Sequence, residues 1–166
     1  MKNLEIKVKV ENLDEIKSRL SLATFKETLL QTDKYFLLGK VRLKIREEGT
    51  RNEIILYARK MKNETRKSTY YRVILPQKSA NFIKAALHFI LGTKVIIAKR
   101  RDLYVYKNTR IHLDDVVNLG RFIELETVFR EEKNTKYLEE HEWVKQALSL
   151  HLYPTIPGSY SDLLKT

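Results

Sequence analysis

Carboxylates, lysines and arginines recur at every second position in a series of short segments. Glu5, Lys7 and Lys9 alternate with Leu4, Ile6, Val8 and Val10. Arg42, Lys44 and Arg46 alternate with Val41, Leu43 and Ile45. The spacing returns in Lys99 and Arg101, in Arg110, His112 and Asp114, and in Glu124 and Glu126, while Arg59 follows Tyr57 at the same interval. Guanidinium forks match phosphate oxygens bidentately, and ammonium groups supply point charge. Carboxylates supply hard oxygen ligands for Mg2+ or Mn2+. Gathered together, with bases outnumbering acids, this set would suit a linear triphosphate and its divalent metal. Glu124 and Glu126 lie two apart on one strand face, so they are neighbours, and such a pair needs a cation.

These residues must be held by strands, because a period of two is the signature of extended chain. Residues 4–11 and 41–46 show it most clearly. Residues 29–37, 53–59, 68–75, 95–106, 110–114 and 121–129 read as further strands, rich in Leu, Ile, Tyr and Phe. Asn12 is placed to cap a helix over 14–20. Ser79 is placed to start one running to Leu91, with Phe82, Ala86, Phe89 and Ile90 as its apolar side and Gly92 as its stop. A helix over 131–150 would bury Tyr137, Trp143, Val144 and Leu148. Tyr160, Leu163 and Leu164 in the tail would pack back onto the body. Many strands with few helices, closed to remove edges, give an α+β, mainly β chain built as an antiparallel barrel. No repeat or Pro/Gly/Ser-rich linker divides it, so residues 1–166 read as one domain.

Composition narrows the function. The chain has 166 residues, 32% of them charged and 43% hydrophobic, which fits a globular protein and not a disordered one. No apolar run approaches the roughly 20 residues of a membrane span. The N-terminal residues lack a secretory pattern, so a cytoplasmic protein is expected. The absence of cysteine excludes disulfides, thiolate metal sites and cysteine nucleophiles. The formal charge of +11 implies an anionic partner. Nucleic acid on an outer basic face is one option, although carboxylates within the patch would repel a phosphate backbone. His112 beside Asp114 reads as a wall residue, with acid–base catalysis the sharper alternative. Lys60, Lys62, Arg66 and Lys67 form a basic loop that is either solvated or a cover for a tunnel mouth. Tyr70, Tyr71, Tyr104 and Tyr106 suit wall packing better than base stacking. No glycine-rich phosphate loop is present.

The motif Asn3-Leu4-Glu5-Ile6-Lys7 resembles the E-x-E-x-K signature of the CYTH domain, the triphosphate tunnel metalloenzymes. Gln31 to Phe36, Arg42 to Arg46 and Lys99-Arg100-Arg101 follow in the family's order. Arg110 to Val116, Leu119 to Glu126, and Gly158 to Leu163 are most similar to its class IV adenylyl cyclase branch. The resemblance implies a closed eight-stranded antiparallel barrel with charged walls and a few flanking helices. It implies Mg2+ or Mn2+ as cofactor, with Glu5, Glu124, Glu126 and Asp114 as metal ligands. Glu5, Lys7, Glu124 and Glu126 become the catalytic candidates. Lys7, Arg42, Lys44, Arg59, Lys99 and Arg101 become triphosphate ligands, joined through strand parity by Lys9, Arg46 and Arg110. Asn3 stands where the signature has its first Glu, which implies a weakened second metal site. The expected activity is hydrolysis of a triphosphate, either inorganic tripolyphosphate, a nucleoside triphosphate or another organic triphosphate. The alternatives are cyclisation of ATP to cyclic AMP and pyrophosphate, or ligand binding without turnover. Expected partners are a triphosphate-bearing small molecule, with 5′-triphosphate RNA as a further candidate, and no membrane. The chain would be a monomer or a homodimer.

Overall fold

The computed structural model describes residues 2–38, 41–62, 65–129 and 135–164, with the side chains of 58–62 and 65–69 outside the description. Eight strands run in chain order: β1 (Lys2–Val10), β2 (Thr24–Phe36), β3 (Arg42–Glu48), β4 (Arg51–Lys62), β5 (Thr65–Leu75), β6 (Thr93–Tyr106), β7 (Thr109–Val116) and β8 (Gly120–Phe129). All neighbouring pairs are antiparallel, and the order β1-β5-β4-β3-β2-β6-β7-β8 closes on itself. The seam is the short β1/β5 pairing, Lys2↔Thr69 to Glu5↔Arg66. β2 begins earlier than its hydrophobic pattern suggests, because Thr24 to Thr28 pair with β6 across an irregularity between Phe25 and Glu27.

Strand alternation sorts the side chains into two buried layers. The even residues of β1 and the odd residues of β7 and β8 point outward. Ile6, Val8, Val10, Ile111, Leu113, Ile123 and Leu125 form a core there with Ile16, Val144, Leu148 and Leu150. Two helices, α1 (Leu13–Lys17) and α3 (Lys136–Ala147), lie over this face. Asn12 caps α1, its Oδ1 accepting from the Asp14 backbone N–H at 2.8 Å. α3 is shorter than the expected 131–150, and residues 131–134 lie outside the described residues. Tyr137, Val144 and Leu148 are buried as expected, whereas Trp143 is half-exposed and stacks on Tyr106.

A third helix, α2 (Gln77–Leu91), covers another face. It starts at Pro76, whose fixed φ and missing N–H suit a helix entry, and Ser79 only donates its hydroxyl to the Pro76 carbonyl. Gly92 ends the helix at φ +71, the left-handed region open to glycine. The packed side of α2 is not the one expected. Ala80, Ile83, Leu87 and Leu91 meet Phe36, Leu43, Ile45 and Leu75, while Phe82, Phe89 and Ile90 face solvent. Sequence offers two apolar stripes on this helix, and only the barrel surface selects between them.

Inside the barrel, one end is filled by Tyr35, Ile55, Tyr57, Ile97, Val116, Phe122 and Tyr160. Tyr160 opens α4 (Tyr160–Leu163), the tail helix, which a capping box between Ser159 and Asp162 fixes. Leu164 packs against the same cluster, and Leu163 sits at the surface. Among the described residues no helix is long and apolar enough to cross a membrane.

Candidate functional site

Beyond the aromatic cluster lies a cavity of about 360 Å³. Its walls carry Asn3, Glu5, Lys44, Arg46, Arg101, Arg110, His112, Glu124 and Glu126, together with Glu27, Glu48, Arg51, Glu53 and Arg72. Strand register explains the convergence. Lys7 pairs with Glu124 and Glu5 with Glu126 across β1/β8, while Arg110 faces Glu126 and His112 faces Glu124 across β7/β8. Directly opposed residues share a face with Cβ atoms roughly 5 Å apart.

Two buried acids anchor the cations. Asp33 receives Arg46 through both oxygens at 2.7 and 2.8 Å and Lys44 at 2.7 Å. Burial pushes the Asp33 carboxyl up, but Arg46 and Lys44 outweigh it and hold it well below the usual range. Asp114 receives Arg101 through both oxygens at 2.6 Å, Lys99 at 3.1 Å and the Tyr160 hydroxyl at 2.7 Å. Burial opposes ionisation of Asp114 too, and Arg101 and Lys99 again lower its pKa. The lysines bear the cost. Lys44 is pushed down to about 7, by burial first and then by Arg46. Lys99 is pushed down to about 8, by burial first and then by Arg101. Around Asp33 and Asp114 the cations Lys44, Arg46, Lys99 and Arg101 outnumber the carboxylates, which is the local electrostatic condition of an anion site.

The third group of acids is held less tightly. Glu124 meets Lys7 at 2.9 Å, His112 at 3.3 Å and Arg101 at 3.4 Å. Glu126 accepts from Arg110 at 3.2 Å and from the Asn3 side-chain amide. Glu5 adjoins Glu126 in register. Burial raises the Glu124 pKa, but Lys7 and Arg101 bring it well below normal. His112 is pushed down, by burial first and then by Arg101. Among the described residues, no three Asp, Glu or His groups are already gathered as for a metal ion. The donor chemistry nonetheless fits a divalent cation. Glu5, Glu124 and Glu126 are hard oxygen donors on adjacent strands, and the buried Asn3 Oδ1 near them has no hydrogen-bond partner among the described residues.

Not every expected ligand reaches the cavity wall. Lys7 and Lys99 are buried deeper, their ammonium groups 3.8 and 5.1 Å from the Tyr160 ring centroid. Arg42 turns to the tail, donating to Asp162 at 2.6 Å. Lys9 is exposed, 5.8 Å from the Phe122 ring centroid. It keeps the inward parity of β1 but lies past the filled end of the barrel. Asp114, expected as a metal ligand, has both oxygens taken by protein donors. The side chain of Arg59, like those of Lys60, Lys62, Arg66 and Lys67, lies outside the described residues. Sequence reasoning assigned no role to Asp33 or Asp162, and to Tyr160 only the packing that the structure shows, not its hydrogen bond to Asp114. Asp33 had one available signal, since it shares parity with Gln31 and Tyr35 on a strand facing the charged β3.

A closed antiparallel barrel with acids and bases lining its interior defines a protein of the triphosphate-tunnel type in fold. The CYTH domain model matches residues 1–150, and the chain belongs to the CYTH domain family. A Pyrococcus horikoshii OT3 protein superposes with a TM-score of 0.81 at 21% identity, over 98% of this chain and 99% of its own. A Vibrio parahaemolyticus protein, named as a candidate adenylate cyclase, gives 0.76 at 16% identity over 99% and 98%. A candidate adenylyl cyclase from Hippeastrum, described with a dominant triphosphatase activity, gives 0.63 at 16% identity over 97% and 94%. At these identities the likeness is one of fold. No curated protein matches the chain in sequence.

Proposed function

We propose that this chain is a divalent-metal-dependent enzyme that binds a triphosphate in the barrel cavity and hydrolyses it. The observation carrying the proposal is one cavity whose wall brings Lys44, Arg46 and Arg101 together with Glu5, Glu124 and Glu126. Lys44, Arg46 and Arg101 would take the phosphate oxygens, with Asp33 and Asp114 fixing their directions. Preset donors of this kind stabilise charge as it develops on a transferring phosphoryl group. Glu5, Glu124, Glu126 and Asn3 Oδ1 would hold Mg2+ or Mn2+. That ion, when bound, would neutralise phosphate charge and orient the attacking water. Tripolyphosphate, nucleoside triphosphates and other organic triphosphates fall within the class.

The test incubates the protein with ATP and with tripolyphosphate in Mg2+ or Mn2+. Orthophosphate release, lost on chelation, is the expected result. Cyclic nucleotide with pyrophosphate would overturn hydrolysis in favour of the cyclase alternative. A second reading, binding without turnover, is favoured by the protein cations that already engage Glu124 and Glu126 and by the amide at position 3. Tight tripolyphosphate binding with no product in either metal would establish it.

A further inference from the structure

We propose that two copies of this chain associate through the outer face of α2, its two helices crossing antiparallel at Ala85 and Ala86. The proposal does not rest on the function of the cavity. α2 already packs one apolar stripe, Ala80, Ile83, Leu87 and Leu91, on the barrel. Nearly opposite lies a second stripe of Phe82, Ala85, Ala86 and Phe89, flanked by Ile90. Phe82 is 77% exposed, Phe89 91% and Ile90 71%. A helix apolar on two sides belongs in an interior, and exposed apolar patches of this kind mark interaction surfaces.

The order of residues says what covers it. Phe82-Ile83-Lys84-Ala85-Ala86-Leu87-His88-Phe89 is symmetric along the exposed stripe, with a large ring at each end and two alanines between. A two-fold interface requires that residue i meet j while j meets i. An antiparallel crossing at Ala85/Ala86 sets each Phe82 against the second copy's Phe89. The alanines let the helix axes approach to the roughly 8 Å of close helix packing. Charge permits the contact. Lys78 falls opposite Thr93, and Lys84 is turned aside with its ammonium on Glu47 at 2.9 Å. Area also suffices. A phenylalanine buries roughly 200 Å², so these three residues supply roughly 450 Å² per copy. With flanking polar groups, two copies reach the roughly 1,000 Å² at which a specific interface begins. An interface at this lower size limit belongs to the weak, transient class, for which dissociation on the order of micromolar is the scale to examine.

The absence of cysteine makes a clean test possible. The full chain is examined by sedimentation from about 1 to 200 µM, a range set by that affinity. Wild type should pass from monomer to dimer, and Phe82→Glu should weaken the dimer about tenfold or more, as loss of a central aromatic does. Ala86→Cys should form a disulfide dimer on mild oxidation. Phe82→Cys and Phe89→Cys should cross-link with each other when mixed and not when alone. Because Phe82 and Phe89 are exposed, their variants should keep the wild-type unfolding temperature at concentrations where wild type is monomeric. A wild type that stays monomeric throughout, or binds anionic vesicles as a monomer, would overturn the proposal. So would a dimer that Phe82→Glu leaves intact, or cross-linking that ignores the Phe82/Phe89 pairing.

Discussion

Raising the pH from 7 to 9 should strip ATP from the cavity. Lys44 sits at about 7 and Lys99 at about 8, so the free protein sheds both protons across this window. A polyanion bound against Lys44 on the wall, with Lys99 buried behind it, holds both lysines charged through its field, and binding must then take up the missing protons. One lysine at about 7 costs about 50-fold in affinity over these two pH units, and one at about 8 a further tenfold. Together they amount to about 3.7 kcal/mol. The single terminal phosphate of ATP loses its last proton at about pH 6 to 7, so the ligand's charge changes little in the window. Without ligand the sign reverses for folding. Above about pH 7 the unfolded chain holds protons that the folded lysines have released, so the empty fold gains stability toward the ordinary lysine range. The assay is titration calorimetry with chelator present, in buffers of different ionisation enthalpy. Proton uptake should rise from about half at pH 7 toward two at pH 9. Lys44→Arg, always charged, should remove the first step. Affinity that is flat from pH 7 to 9, or binding without proton uptake, would refute the reasoning.

Three other perturbations have defined outcomes. Glu124→Gln leaves the buried Lys7 ammonium without its 2.9 Å partner and should cost about 3–5 kcal/mol in chemical denaturation; it should also abolish turnover, and wild-type stability with wild-type rate would contradict the wall assigned here. Tyr160→Phe removes the hydroxyl donated to Asp114 at 2.7 Å and should cost about 1.5–3 kcal/mol in urea; a change near zero would mean that the tail does not brace Asp114. Asn3→Glu sets a further carboxylate beside Glu126 and Glu5, so the metal-free protein should melt lower while Mn2+ raises its melting temperature more than it raises that of wild type. An equal Mn2+ response in the two proteins would remove Asn3 from the metal site.

Alternation made the strands and their charged faces legible, but not which face was enclosed. In β1, β7 and β8 both faces are buried, the apolar one under helices and the charged one within the barrel. A single sequence offers the same period two for either arrangement. Closure, together with the cross-strand register, is what turns Glu5, Lys44, Arg101 and Glu126 from separate stripes into one cavity. The anchors were harder to read because each is a contact distant in sequence. Asp33 is an isolated acid between Thr32 and Lys34 until Arg46 lies opposite it. Tyr160 carries no motif that points to Asp114. The face of α2 was misassigned because residues 80–91 satisfy helical periodicity twice.

The interior acids divide by geometry, and the division bears on how an empty cavity stays ordered yet open to ligand. Asp33 and Asp114 each take both arms of an arginine at 2.6 to 2.8 Å and a lysine besides. Bidentate pairs of this quality are costly to break, because either partner would be left charged and buried. They hold Lys44, Arg46 and Arg101 in place whether or not an anion is present. The arginine contacts of Glu124 and Glu126 are single and longer, at 3.4 and 3.2 Å. Replacing either arginine's hold by a phosphate oxygen on the cation and a divalent ion on the carboxylate would conserve charge on both sides. An anion entering alone would leave these carboxylates repelling it, and a metal entering alone would face Arg101 and Arg110. The two should therefore bind cooperatively, each raising the affinity for the other by the same factor. Equal Mn2+ affinity with and without a non-hydrolysable triphosphate would remove that coupling.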